Sequence, residues 1–318
     1  MINLLVSGRF MAKYAVTGGA GFIGSHIVHA LITAGHDVVV IDNLSSGFLS
    51  NIEMLPKTKI DFVLGDILDD KVLLQAFKGV ETVLHLAAKT SVPESVKDPA
   101  FYVKTNTIGT LNVMNCAEQM CVTNLVIASS AAVYGDDPIV PKTESMSPKP
   151  KSPYAVSKVD GEYYANIYRI PNKFNISALR FFNVYGPRQD PNSTYAAAIP
   201  IFIEQALQHK PLIIYGDGTQ TRDFIYVADV AHAVILAAGA NDFFNVGCNQ
   251  HITISAIANK IINLCNSKSV IVYADERPGD IKHSYADTNK IMQALQFKSL
   301  SSLDEGLNKT IQYYRDIL

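Results

Sequence analysis

Tyr154 and Lys158 stand four residues apart in the run Tyr154-Ala155-Val156-Ser157-Lys158. On a helix that spacing puts both side chains on one face. A phenol ordinarily ionises near pH ~10, and an ammonium beside it favours the phenolate and lowers that value. Such a phenol exchanges a proton with a carbinol hydroxyl near neutrality. A second hydroxyl for the same carbinol is on offer from Ser130, in Ser129-Ser130-Ala131-Ala132-Val133-Tyr134-Gly135. With 15 tyrosines in the chain, a lone Tyr/Lys pair would pass for a solvated helix surface. Pro153 immediately before the pair, and Ser130 at the end of a predicted strand, favour a proton-transfer group. For Ser129 the bland alternative, a strand-end cap, stays open.

Upstream lies Thr17-Gly18-Gly19-Ala20-Gly21-Phe22-Ile23-Gly24. Gly18, Gly21 and Gly24 follow a predicted strand and open a predicted helix. Glycines allow a tight turn and close approach of a pyrophosphate, and the helix start offers free N–H groups and a favourable dipole. A merely glycine-rich turn would have the same composition. Its place at the first strand–helix junction, with an acid, Asp42, ending the second strand, favours a dinucleotide site. A carboxylate there bonds ribose hydroxyls and repels a 2′-phosphate. No Arg or Lys lies between Asp42 and Lys57, so NAD is expected over NADP. With a cationic nicotinamide nearby the phenolate is favoured further, and the chemistry named is hydride transfer at a carbinol carbon. Asp66, in Leu64-Gly65-Asp66-Ile67, is placed either to touch the adenine amino group or to serve its loop. After the fourth strand, in His85-Leu86-Ala87-Ala88-Lys89, small alanines let a cofactor lie on the sheet edge.

These residues need a scaffold. Apolar runs at 13–16, 37–41, 59–64, 82–86, 124–128 and 176–179 read as strands. Between them, 21–34, 71–77, 99–119 and 153–169 carry helical spacing. Strands apolar nearly throughout, separated by helices, indicate a doubly wound parallel α/β sheet covered on both faces. After Pro187 the rhythm changes to helices at 196–208 and 255–265, the second with Ser255 as its expected N-cap, joined by Gly-, Pro- and Asp-rich loops. The expected division is a dinucleotide-binding unit over 11–186, also receiving part of 223–248, and a smaller substrate-binding unit over 187–318. Residues 243–247 read as a strand returned to the main sheet.

The 318 residues, 48% of them hydrophobic, suffice for a full core. A net charge of −2 gives no broad positive field, which argues against nucleic acid and anionic membranes as partners. Cys116, Cys121, Cys248 and Cys265 form no CxxC pair, and buried thiols in a reducing, cytoplasmic setting are expected. His26 and His29 read as helix-surface or packing residues; no metal is expected. The apolar run 231–240 is too short to span a bilayer. Met1–Phe10 lacks a basic start and a long apolar stretch, so no signal peptide is expected; it is either an extension or a segment before a natural start at Met11.

With these motifs in view, the chain resembles the extended short-chain dehydrogenases/reductases, specifically the nucleotide-sugar epimerase/dehydratase family, and is most similar to its UDP-hexose 4-epimerases. The likeness runs from about Lys13 to the C-terminus and is carried by TGGAGFIG, IDNLSSG, GDI, SSAAVYG, YAVSK, RFFNVYGPRQ, TRDFIYV and RPGD. It implies Tyr154 as the base, Lys158 as its support and ribose contact, and Ser130 as the hydroxyl partner. It implies cofactor contacts at Gly18, Gly21, Phe22, Ile23, Gly24, Asp42, Asn43, Asp66, Ile67, Ala87 and Lys89. Asn183, Arg222 and Arg277 match contacts to a UDP diphosphate, Asp280 one to the uridine ribose, and Tyr215 one to the uracil ring.

The resemblance also separates reactions. Family 4,6-dehydratases carry an acidic pair where this chain has Ala131 and Ala132, and the Glu of UDP-glucuronate decarboxylases is absent. C4 epimerisation needs no further acid. Ser284 matches the position that gates the sugar 2-substituent, where Ser leaves room for an N-acetyl group; Thr90, Ser91 and Ala197 would line the same pocket. Turnover of UDP-GlcNAc/UDP-GalNAc and also of UDP-Glc/UDP-Gal is therefore expected. A UDP-uronate 4-epimerase would need a cation for the C6 carboxylate that the sequence does not single out. A non-catalytic NAD-sensing regulator would typically have lost the Tyr or the Lys. Family members pair as homodimers through two helices, here 99–119 and 153–169.

Overall fold

The computed structural model describes residues 12–170, 173–191, 197–276 and 281–318. Six strands come first: β1 (Lys13–Thr17), β2 (Asp37–Asp42), β3 (Ile60–Leu64), β4 (Thr82–His85), β5 (Asn124–Ser130) and β6 (Asn175–Phe181). Short strands follow: β7 (Asn183–Tyr185), β8 (Leu212–Tyr215), β9 (Thr221–Arg222) and β10 (Phe224–Tyr226). The last are β11 (Phe243–Val246), β12 (Ile252–Thr253), β13 (Ile271–Ala274) and β14 (His283–Ser284). One parallel sheet runs β11-β6-β5-β4-β1-β2-β3. The returned strand expected at 243–247 is β11, on the edge beside β6.

The chain winds outward in opposite directions from β1 and β4, which opens a crevice at the carboxyl ends of the strands, where α/β sheets bind ligands. One face of the sheet is covered by α1 (Phe22–Thr33) and, from late in the chain, α8 (Val227–Leu236); Ile27, Leu31, Val230 and Val234 pack there on Val16, Val40 and Phe244. The other face carries α2 (Asp70–Ala76), α5 (Gly109–Gln119) and α6 (Pro153–Tyr168), with Leu73, Val113, Met114 and Ala165 against Val39, Val83 and Ile127. α3 (Val92–Lys97) and α4 (Pro99–Tyr102) precede α5. A third core joins α7 (Ala198–Leu207), α9 (Ile254–Leu264) and α11 (Leu303–Ile317) through Phe202, Ile257 and Ile311. α10 (Asn289–Leu295) returns Ile291 to the first core.

Three expectations need correction, and one open alternative is decided. The helical run 99–119 is not one regular helix, because a π-helical segment, Val103–Ile108, separates α4 from α5. α9 starts one residue before Ser255, and its N-cap is Thr253, whose side chain accepts from Ala256 N at 3.1 Å. Cys116 and Cys265 are buried, but Cys121 is exposed and Cys248 half-buried; Cys121 has left-handed backbone, φ 57°, just past the end of α5. Ser129 does not cap the strand end, a role taken by Ser130, whose Oγ accepts from Ala132 N at 3.1 Å.

Candidate active site

The glycine turn is built for close approach. Gly18 has φ +68°, and a Cβ there would lie 2.8 Å from Ala87 N, where β1 and β4 part. At Gly24 a Cβ would meet Gly18 O at 2.1 Å, so the first turn of α1 can pack against the loop only as glycine. Asp42, at the end of β2, accepts from Ala20 N at 2.9 Å and Leu44 N at 2.8 Å. Those two bonds fix its carboxylate and leave lone pairs for further donors. Asn43 Nδ2 donates to Asp66 Oδ2 at 2.8 Å, and Leu68 N donates to Asp66 Oδ1 at 2.9 Å. Asp66 thus ties two loops together.

These residues share a cavity of about 650 Å³. Gly18, Gly21, Phe22, Ile23, Gly24, Asp42, Asn43, Asp66, Ile67, Ala87, Lys89 and Thr90 line it, as do Ser130, Tyr154, Lys158 and Ala197. The cradle, the acid at the end of β2 and the open crevice fit a dinucleotide. Lys89 reaches across it, with Nζ 3.5 Å from Ser45 Oγ and 5.5 Å from the Phe101 ring centroid.

Tyr154 and Lys158 lie on one face of α6, whose N-cap Ser152 accepts from Ala155 N. Lys158 Nζ donates to Ala128 O at 2.9 Å and lies 5.8 Å from the Tyr154 ring centroid. Burial brings the lysine down to about 8. Burial also pushes the Tyr154 phenol above its ordinary value, with the Ser130 side chain pulling it back. The expected lowering of the phenol is therefore absent from the protein alone. Desolvation of the site outweighs the pull of Ser130, and a positive charge bound beside the phenol would act against it.

A second cavity of about 440 Å³ adjoins the first, with Val184 and Ala197 in the walls of both. Asn183, Tyr215 and Arg222 line it. Ser284 lines neither cavity; it is buried and pairs in register with Arg222 across β14 and β9. Ser91 also stands outside both, as the N-cap of α3, accepting from Glu94 N at 3.2 Å. Arg277 and Asp280 lie outside the described residues.

Several residues of the site had no sequence signal of their own. Asn106, buried in the π-helical segment, accepts from Lys89 N at 2.8 Å, donates to Lys89 O at 2.9 Å and donates to Ser157 Oγ at 3.0 Å. Ser157 in turn donates to Tyr154 O at 2.7 Å, which links the β4 loop to α6. Asp223 is fully buried and accepts from Cys248 N, Asn249 N and Ala286 N at 2.9–3.1 Å, holding together the segments on either side of Arg222 and Ser284. Burial raises its carboxyl to about 6. Arg188 lines the first cavity, and Gln205 and Gln220 line the second. The side-chain oxygens of both glutamines are buried without a hydrogen-bond partner among the described residues, and so is one guanidinium nitrogen of Arg188. The only available hint was Arg188's place in the GPRQ run.

A family model described as the NAD dependent epimerase/dehydratase family matches residues 14–247, most of the chain. The chain belongs to that family. It is 38% identical to a UDP-glucose 4-epimerase of Mycolicibacterium smegmatis, over 95% of this chain and 98% of that protein. Among solved structures it resembles a UDP-N-acetylglucosamine 4-epimerase from Methanobrevibacter ruminantium at TM-score 0.93 and 39% identity, covering 98% of this chain and 100% of that one. A UDP-glucose 4-epimerase from Thermotoga maritima superposes at TM-score 0.90 and 36% identity, covering 96% and 99%. The glycine cradle, the acid that ends β2 and the Tyr/Lys pair on α6 all line one cavity within the matched range.

Proposed function

We propose that this protein is an NAD-dependent isomerase that inverts C4 of a UDP-hexose through a transient 4-keto sugar. It accepts UDP-GlcNAc/UDP-GalNAc and UDP-Glc/UDP-Gal. The observation that carries the reading is the junction of the two cavities. Ser130, Tyr154 and Lys158 line the first, Asn183, Tyr215 and Arg222 the second, and Val184 and Ala197 belong to both. A nucleotide held in the second cavity leaves its sugar at the proton-transfer group in the first.

NAD, when bound, supplies the hydride acceptor and donor. The chain does the rest. Tyr154 takes the C4 hydroxyl proton and later returns one, Ser130 holds the same oxygen, and Lys158 supports the phenolate. Arg222 and Asn183 anchor the diphosphate through charge-assisted and amide bonds, joined by Arg277, with Asp280 on the ribose and Tyr215 against the base. Binding energy taken at the nucleotide leaves the hexose loosely held, so either face of the ketone can be presented. Ala131 and Ala132 bring no acid or base next to Ser130, which disfavours water elimination.

Breadth toward the sugar 2-substituent is supported by the small Ala197 at the junction. It also fits the likeness to relatives named for UDP-N-acetylglucosamine and for UDP-glucose. Ser284, expected at the gate to this pocket, lies outside both cavity walls, and its effect on the sugar would be indirect, through the strand that carries Arg222. The test is proton NMR of the purified protein with UDP-GlcNAc and, separately, UDP-glucose, first without and then with added NAD. New anomeric and H4 signals of the C4 epimers are expected. No epimer from either sugar with NAD present would overturn the reading.

A further inference from the structure

Behind the Tyr/Lys pair lies a buried charged network that proton transfer does not itself require. Glu162 and Arg180 are an ion pair at 2.6 Å with side chains only 3% and 4% exposed. Glu162 Oε1 also accepts from Arg180 Nε at 2.9 Å and from Ser129 Oγ at 2.5 Å. Arg180 Nη1 donates to Tyr134 Oη at 2.8 Å, and Tyr134 donates to Asn245 Oδ1 at 2.6 Å. The network thus ties β5, α6, β6 and β11 together with the short 3₁₀ turn that follows Ser130.

Two facts point beyond packing. Removing two charges from water is costly, and apolar side chains of similar volume often serve stability as well or better. The pair also sits at one particular place. Tyr154, Lys158 and Glu162 follow one another at four-residue steps, so they rise along one face of α6. Lys158 grips β5 at Ala128 O and Glu162 grips it at Ser129, and the next residue of β5 is Ser130. Arg180, held by a two-pronged bond from the neighbouring strand, fixes where the Glu162 carboxylate can be. We infer that the Glu162–Arg180 pair is a positioning device, setting the roll of α6 against β5 and so the approach of the Tyr154 phenol to the Ser130 hydroxyl. The inference rests on the proton-transfer role proposed for Tyr154.

Two variants of the NAD-bound protein test it. Ser129→Ala/Glu162→Leu/Arg180→Met replaces the charged network by apolar groups, and Arg180→Lys keeps the charge but loses the two-pronged bond. NAD content, melting temperature, kcat and KM for UDP-GlcNAc and UDP-glucose are measured, and the Tyr154 phenol is titrated by ultraviolet difference against Tyr154→Phe. In the apolar variant kcat is expected to fall about 10- to 100-fold, the scale of a small misplacement at a reacting centre, with KM and NAD content within about twofold of the parent. Its phenol is expected to titrate at higher pH than the parent's, and Arg180→Lys to lie between the two. Parent-like kcat and phenol titration in the folded apolar variant would overturn the proposal. If that variant does not fold, the same result in Arg180→Lys would overturn it. A parent that turns over neither sugar would sink the functional reading instead, and the phenol titration would still decide the positioning role.

Discussion

Tyr154 and Lys158 pay for their seclusion in opposite directions. Burial disfavours the charged form of each, raising the phenol and bringing the ammonium down to about 8. The neutral pair and the phenolate–ammonium pair hold the same number of protons, so the first proton lost on raising the pH belongs to both residues. Once that proton has left, the pair can accept one from a carbinol. The positive charge of NAD⁺ favours the loss, so the step is expected no higher than pH about 8. Below it, kcat should climb about tenfold per pH unit and then level off. A rate still climbing above pH ~8 would show that another group limits proton transfer. Replacing Tyr154 by Phe removes the acceptor; kcat is expected to drop about 10²- to 10⁴-fold with the KM for the UDP-sugar little changed, as read by epimer formation in proton NMR. Ser284→Tyr tests the sugar gate. It should depress turnover of UDP-GlcNAc well below that of UDP-glucose, and an unchanged ratio would remove Ser284 from the specificity argument.

At the scale of elements, the switch point is held by a histidine. His85, at the end of β4, is fully enclosed between Thr17 Oγ1 at 2.7 Å and Thr110 Oγ1 at 2.9 Å, which joins β4 to β1 and α5. Burial, helped by the Lys158 charge, lowers it to about 3, against 6.5 when free. Its folded value is depressed, so its contribution is complete above pH 6.5 and is lost as the pH falls toward about 3. His85→Gln keeps a donor and an acceptor but does not titrate. Between pH ~6.5 and ~4 the parent's unfolding free energy should therefore fall more steeply than the variant's in denaturant titrations, and equal slopes would refute the assignment. Asp223, raised to about 6, acts in the opposite sense over part of this range, so only the difference between the two proteins is diagnostic.

The same scale shows what a sequence can carry. The glycine turn, Asp42 and the Tyr/Lys spacing were readable because each depends on neighbours a few residues away. The sheet followed from its apolar runs. Thr253 was passed over for Ser255 because both can cap a helix and only the helix start decides. Asn106 was hidden in a helical pattern because a π-helical segment leaves the apolar spacing nearly intact while turning a polar side chain inward. Glu162 carries no local signal, since its partner Arg180 comes from a strand brought alongside by the fold. Where a side chain's partner is distant in the chain, local pattern has nothing to register.

For the molecule as a whole, α6 leaves an apolar stripe at the surface. Val156, Tyr163 and Ile167 are 43%, 57% and 72% exposed, and their spacing of seven and four places them on one stripe of the helix. Val103 and Ile108, in the π-helical segment that packs beside α6, are also exposed. The opposite side of α6 already covers the sheet, through Ala165. A helix apolar on both sides has a second surface to bury, and another copy of the same stripe is the simplest partner, since a two-fold interface matches a patch with itself. We propose a homodimer formed by this face, as the family resemblance led us to expect. Light scattering should then give twice the chain mass, and Tyr163→Asp/Ile167→Asp should give the single mass. The glycine cradle, Asp42, Tyr154 and Lys158 of one protomer line a common cavity, so the separated protomer should retain its NAD. A parent protein already at the single mass would leave the stripe unexplained by self-association, and loss of NAD on separation would mean that the interface supports the site from behind α6.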